Sequence, residues 1–407
     1  MYPNNTQLIT MMALSATLFA CEPEDSAGPD ILDVSDLDTS DDNDDGPDSD
    51  DGQAVDTSED DAVDDGNDAD DDDDGGKRHE DQGQQPPGPD AVQYLVSHAR
   101  DQFTQTFTID AQAYNVLEGD QGTDLYISPN TFINDTGHSV DGEIEIELIE
   151  VFDKGAMLVT DVPTNGRLPT GELAQLISGG EFYINATQNG EDLYAENNLM
   201  VVAPGDNTGG ADSDMTLFEL TDVAMDRRGT ADLDEGDVVL ERPAWEEVKR
   251  TGDEGAIWVE GDGDGGGGAD GGTAGYGSQY VFLTQTMGWT NIDRWYSDPR
   301  PKTTIHVGVP QGWDSDNCVV YLSYDGENGL ARFDTYNDMT GMFSEHYGLI
   351  PIGLEVHVIF VTESEGEWSY AVKGATVQDN HVTYFDDPAE FIETDVEGLM
   401  AAINALP

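Results

Sequence analysis

From Val92 onward, apolar and polar residues alternate with a period of two in short runs, the pattern of half-buried β-strands. Phe103 to Ile109 sets Phe103, Phe107 and Ile109 against three threonines, and Glu143 to Leu148 alternates glutamate with Ile144, Ile146 and Leu148. Glu143, Glu145 and Glu147 then share one face about 7 Å apart. That spacing suits a cation or a glycosidase carboxylate pair, and it equally suits a solvated outer face. Glu181 to Thr187 runs into Asn189-Gly190, a strong hairpin signal, and Asp192-Leu193-Tyr194 returns. Met215 to Leu220 and Val238 to Leu240 are further strands, with Trp245 packed beneath them, assigned to the same domain or to a small bridge.

Seven more strands are expected at Gln279–Gln285, Thr303–Val309, Asn317–Ser323, Ala331–Thr335, Leu354–Thr362, Glu367–Val372 and His381–Tyr384. A terminal helix follows, capped by Thr394 with Glu397 three residues on, and its core face is Ile392, Val396, Leu399, Met400 and Ile403. The fold class is therefore all-β: two β-sandwich-like domains with a short C-terminal helix, preceded by a disordered acidic tether. The divisions are residues 1–20 as a signal peptide, 21–90 as the tether, 91–260 as a first sandwich, 261–278 as a Gly/Asp-rich linker, and 279–407 as a second β-domain.

The N-terminal end reads differently. Leu8 to Ala20 is an apolar stretch of signal-peptide length, too short to span a bilayer. Leu18-Phe19-Ala20-Cys21 resembles the lipobox of bacterial lipoproteins, which implies cleavage before Cys21 and diacylation (palmitate or a similar chain) of its thiol. Met1 to Gln7 lacks the Lys or Arg usual ahead of such a stretch, and a simple secretory signal is the alternative. Glu22, Glu24 and Asp25 resemble the acidic export signals of surface lipoproteins in some Gram-negative phyla. The expected location is the cell envelope, lipid-anchored in the outer membrane and surface-exposed, with contact to the membrane made through the lipid.

Charge changes the picture of partners. The 407 residues carry a net charge of -71, and Glu22 to Asp90 alone holds 29 acidic residues, 2 basic ones and no aromatic. Such a segment buries too little apolar surface to offset chain entropy. A chain this negative repels phosphate backbones and anionic headgroups, which excludes nucleic acid and basic-patch membrane binding. Cations are its natural partners, as weak Ca²⁺ association or as the counterions of a saline habitat. No shaped calcium loop occurs: Asp48-Ser49-Asp50-Asp51-Gly52 has Gln53 where an EF-hand turn needs glycine, and Asp262-Gly263-Asp264-Gly265 fails similarly. Cys21 and Cys318 are the only cysteines, and Cys318 lies in a strand-like apolar run, so no internal disulfide is expected.

One stretch carries a family likeness. Thr123 to Phe132, the glycines from Gly137 to Gly142, Val162-Pro163-Thr164 and Ser178-Gly179-Gly180-Glu181-Phe182-Tyr183-Ile184-Asn185-Ala186 together resemble the ZU5-type β-sandwich, as found in uncharacterised bacterial surface proteins. That resemblance implies a module for protein contact and scaffolding. Some members cleave themselves at His-Phe-Ser, and His138-Ser139 is the nearest approach here, so self-cleavage does not carry over. Gly288-Trp289, Asn291, Asp293-Arg294 and Ile350-Pro351-Ile352-Gly353 resemble C-terminal regions of the same proteins.

Chemical motifs are sparse. His98, His138, His306, His346, His357 and His381 show no metal-ligand spacing, and neither a nucleophile elbow nor a dinucleotide fingerprint is present. Neither catalytic residues, a metal site nor a cofactor is expected. The constellation that suggests binding is Trp289, Asn291, Asp293, Arg294 and Trp295, read as a loop after the first strand of the second domain, with Trp313 beside Asp314 and Asp316. Exposed aromatics beside Asp and Asn stack sugars; the same residues can instead cap a core, with Asp293 and Arg294 as a local ion pair. The sequence points to a non-catalytic binding or adhesive module with a protein or glycan ligand. A structural component of an envelope assembly is the alternative, and a glycan-active enzyme a third.

Overall fold

A computed structural model describes residues 84–221, 237–240, 243–249, 256–260 and 278–407. The signal peptide, Cys21, the tether as far as residue 83 and linker residues 261–277 lie outside the described residues. The fold is all-β, with a short helix at its C-terminal end.

The first sandwich sets an eight-stranded sheet against a five-stranded one. The larger sheet runs Gln105–Asp110, Glu143–Val151, Leu173–Gln188, Gly288–Trp295, Thr216–Thr221, Ala244–Glu247 and Asn165–Arg167, with Glu191–Asp192 paired to Leu173–Gln188 as its eighth strand. Asn165–Arg167 also pairs with the start of Leu173–Gln188, so this end of the sheet closes on itself. The smaller sheet holds Asn115–Glu118, Asp124–Ile127, Leu199–Pro204, Gln279–Thr284 and Ile257–Glu260. Leu125, Ile146, Leu148, Phe182, Val201 and Phe282 fill the space between them. Ile144, Ile146 and Leu148 are buried as the alternation requires, while Glu143 and Glu145 are exposed. Asn189 and Gly190 both have positive φ, 54° and 82°, as a two-residue hairpin turn needs.

The second sandwich pairs two five-stranded sheets. One contains Lys302–Gly308, Met342–Pro351, Thr335–Asn337, Asp237–Val239 and His381–Tyr384; the other contains Cys318–Tyr324, Leu330–Arg332, Glu355–Ser364, Glu367–Thr376 and Ile392–Thr394. Val320, Leu322, Phe343, Val358 and Phe360 form its core.

Three helices, α1 (Ala91–Phe103), α2 (Lys154–Val159) and α3 (Val396–Asn404), join the two sandwiches through a third core. Leu95 and Val96 of α1, Met157 of α2 and Leu399 of α3 meet Ile149 and Trp289 of the first sandwich and Ile359 and Val361 of the second. Fully burying each such side chain stabilises by about 1.5–3 kcal/mol.

Several expectations are corrected here. Strands Gln279–Thr284 and Gly288–Trp295 are hydrogen-bonded to Leu199–Pro204 and to Leu173–Gln188, so they complete the first sandwich and do not open the second. Asp237–Val239 makes the reverse crossing, pairing with Thr335–Asn337 of the second sandwich. The start of the first domain is helix α1, because Val92, Leu95, Val96 and Ala99 fall at helical spacing and are buried together. Residues 84–90, counted with the tether, lie against the second sandwich: the Asp90 amide donates to the Asp316 carbonyl at 3.0 Å, and Gln84 bonds Ser369 and Glu393. Asp395, not Thr394, caps α3, accepting from the Gly398 amide, and Ile392 is an exposed strand residue.

Candidate ligand cleft and a buried polar island

The residues expected to form an aromatic platform do not form one. Trp289, Asn291 and Asp293 belong to a strand held centrally between Leu173–Gln188 and Thr216–Thr221, so both its edges are paired. Trp289 is buried against Tyr183, their ring centroids 5.5 Å apart, with the Arg100 guanidinium 5.7 Å above its ring. Asn291 and Asp293 have no exposure at all. Arg294 pairs with Asp212 at 2.8 Å and with Glu327 at 3.6 Å, not with its neighbour Asp293. Trp313 lies in the core of the second sandwich, its indole donating to Thr362 Oγ1 at 3.2 Å and its ring edge-on to Phe391. Trp313 therefore belongs to a different core from Trp289.

Trp295 is the member that reaches a ligand-sized space. Where the strand leaves the first sandwich, Trp295, Tyr296 and Asp298 line a cleft of about 260 Å³. Gln175 and Leu173 supply the wall from the first sandwich; Tyr324, Asp334 and Glu345 supply it from the second, and Lys302 stands beside them. Tyr296 packs edge-on to Tyr324, with centroids 5.0 Å apart, and Trp295 packs likewise on Phe218 at 5.5 Å.

The polar groups here are fixed in different ways. Asp298 holds Arg300 through both its oxygens, and that guanidinium keeps its carboxyl below the usual carboxylate range. Lys302 donates to the Asp298 carbonyl at 2.7 Å, and desolvation lowers its ammonium pKa. Glu345 accepts from the Tyr347 and Gly348 amides at 3.1 Å each. Desolvation, reinforced by the charge of Asp334, nevertheless pushes its carboxyl well above the ordinary range. Gln175 donates through Nε2 to Thr164 and to the Leu176 carbonyl, while its Oε1 is buried without a hydrogen-bond partner among the described residues. The cleft thus offers aromatic surface, an ammonium donor and a carboxyl held toward its neutral form.

The structure also gathers two polar sets from residues far apart in the sequence. Lys154 donates to Ser323 Oγ at 3.0 Å and to the Pro407 carbonyl at 2.9 Å, and burial lowers its pKa. A Ser–Lys pair can serve nucleophilic catalysis, but Ser323 has no exposed surface, so here the contact ties α2 to the second sandwich. Ser178, Glu181, Asn291 and Asp293 form a polar island inside the protein. Its one sequence signal is the Ser-Gly-Gly-Glu run, since paired glycines in a strand mark a bulge. Among the described residues no three His, Cys, Asp or Glu side chains gather as a metal site.

No protein-family model matches the chain, and no curated protein matches it either.

Proposed function

We propose that this protein is a binding module of the cell envelope, held by lipid on Cys21, whose cleft between the two sandwiches takes one sugar unit of a glycan. The observation that carries the reading is the composition of the cleft. Trp295 and Tyr296 offer apolar surface to a sugar ring face, while the Lys302 ammonium offers a donor to hydroxyls. A volume of about 260 Å³ suits a single ring rather than an extended chain. The tether would carry this site away from the membrane surface. The ZU5-type likeness fits a display or adhesive role of this kind.

The test is binding of the full chain to a glycan array, followed by calorimetry on the hits. Trp295→Ala and Lys302→Ala are expected to weaken binding by about tenfold or more each, about 1.4 kcal/mol, with the circular dichroism spectrum retained. Failure to bind any carbohydrate, or unchanged affinity in both folded variants, would refute the sugar reading.

One observation favours a second reading, glycoside hydrolysis. Glu345 and Asp334 line the same cleft, and a carboxyl held toward its neutral form beside another carboxylate is the arrangement of an acid and its partner. Release of reducing ends that is lost in Glu345→Gln, with binding retained, would establish that reading over simple capture.

A further inference from the structure

The polar island exists because of a bulge. Asn291 and Asp293 face Glu181 and Ser178, so three steps along one strand span two along the other. Gly179 and Gly180 absorb the extra residue. Gly180 has φ of 134°, and a Cβ on it would come within 2.8 Å of the Phe152 ring. Phe182 and Ile292 point into the first core, leaving Glu181, Asn291 and Asp293 to gather on the other face.

All four polar residues are sealed from solvent, with Glu181, Asn291 and Asp293 at 0% exposure and Ser178 at 1%. Asn291 Nδ2 lies 2.7 Å from Asp293 Oδ2 and 3.4 Å from Glu181 Oε1, while Asn291 Oδ1 accepts from Ser178 Oγ at 3.3 Å. Glu181 Oε2 and Asp293 Oδ1 are buried with no hydrogen-bond partner among the described residues. Arg294, next along the strand, turns to Asp212 and Glu327 instead. Two carboxylates without a counter-charge do not persist in such a place; they either take up protons or hold a cation.

We propose that the island is a Ca²⁺ site, with Glu181, Asp293, the Asn291 amide oxygen and the Ser178 hydroxyl as its ligands. Rotating the Asn291 amide by half a turn places Oδ1 where Nδ2 now sits between the two carboxylates. The donors are then all hard oxygens, which selects Ca²⁺ or Mg²⁺ over softer metals. Ca²⁺ takes six to eight oxygens, and two bidentate carboxylates with two neutral donors supply six. Mg²⁺ retains water in its shell, for which this sealed position has no access. The two negative charges balance the ion, and burial, which pushes both carboxyls well above their ordinary range, sets the cost that the ion offsets.

The site stands apart from the sugar reading, since it rests on the bulge and the orphaned oxygens alone. Its test uses the full chain, stripped with EDTA and studied at about 1 M salt, where screening within about 3 Å suppresses diffuse binding to the acidic surface. Titration with Tb³⁺ under tryptophan excitation is expected to give one saturable site sensitised by Trp289 and competed by Ca²⁺. Glu181→Gln and Asp293→Asn should each weaken it by about tenfold or more and abolish the rise in Tm that Ca²⁺ gives the natural sequence. Absence of a saturable site in the natural sequence overturns the proposal without recourse to any variant. Undiminished Tb³⁺ binding in folded variants overturns it too, placing the ion elsewhere on the chain.

Discussion

Asp161 and Arg332, 171 residues apart, form an ion pair at 2.6 Å across the junction of the two sandwiches. Asp161 sits in the turn that ends α2, with φ of 50°, and also accepts from the Tyr321 hydroxyl at 2.8 Å. Both partners are largely buried, with side chains 13% and 9% exposed, so removing one leaves a charge with nowhere to go. Asp161→Ala should cost about 3–5 kcal/mol, read as a lower denaturant midpoint. Replacing both residues by apolar ones should recover much of that loss, and a double variant no better than the single one would count against this account.

The glycine bulge gives a second expectation. Gly180→Ala meets both a positive φ and the Phe152 ring, so it should destabilise by about 1–3 kcal/mol, whereas Gly190→Ala, in open space, should lose only the cost of its turn conformation. Paired urea melts of the two variants separate crowding from backbone strain.

Glu345 makes stability depend on pH. Its folded pKa is raised by desolvation, so the folded state binds the proton more tightly than the unfolded chain does. That contribution is present in full below the unfolded value of about 4.3 and disappears as pH climbs through the raised folded value. Glu345→Gln keeps the neutral shape and should flatten this part of the profile, so its advantage over the natural sequence grows from pH 4 toward neutrality. Parallel profiles for the two proteins would contradict the assignment.

Cys318 should behave as a buried hydrophobe. It is 2% exposed, and burial pushes its thiol well above the ordinary range. A thiol reagent is expected to leave it untouched in native buffer and to titrate it in denaturant; rapid native labelling would mean that the strand Cys318–Tyr324 opens.

Localisation turns on Cys21. Intact mass should show acyl chains on the natural protein, and membrane recovery should vanish in Cys21→Ala. A soluble, unacylated natural protein would replace lipid anchoring by ordinary secretion.

The elements legible in the sequence were those with a clean period and a local turn. Gln105–Asp110, the Asn189-Gly190 hairpin and His381–Tyr384 all follow from neighbours in the chain. Helix α1 is also written there, in the spacing of Val92, Leu95, Val96 and Ala99, but the strand alternation that begins directly after it masks so short a helical period. Gly288–Trp295 was unreadable for a different reason. Thr290, Asn291 and Asp293 make it look like a polar loop, and only long-range pairing shows that a central strand carries them. The cleft was legible in one residue, Trp295, because Gln175, Tyr324 and Glu345 reach it from three distant strands. The domain boundary misled because glycine content reports chain flexibility, whereas sheet membership is decided by partners that no local window contains.

The crossing of strands between the sandwiches also governs how the chain can come into being. The first sandwich needs residues 279–295 for an inner strand of each of its sheets, while Asp237–Val239, made earlier, must wait for Thr335–Asn337. Every strand of the first sandwich precedes residue 296, so that half can close while the second is still being made, leaving Asp237–Val239 unpaired until Thr335–Asn337 emerges.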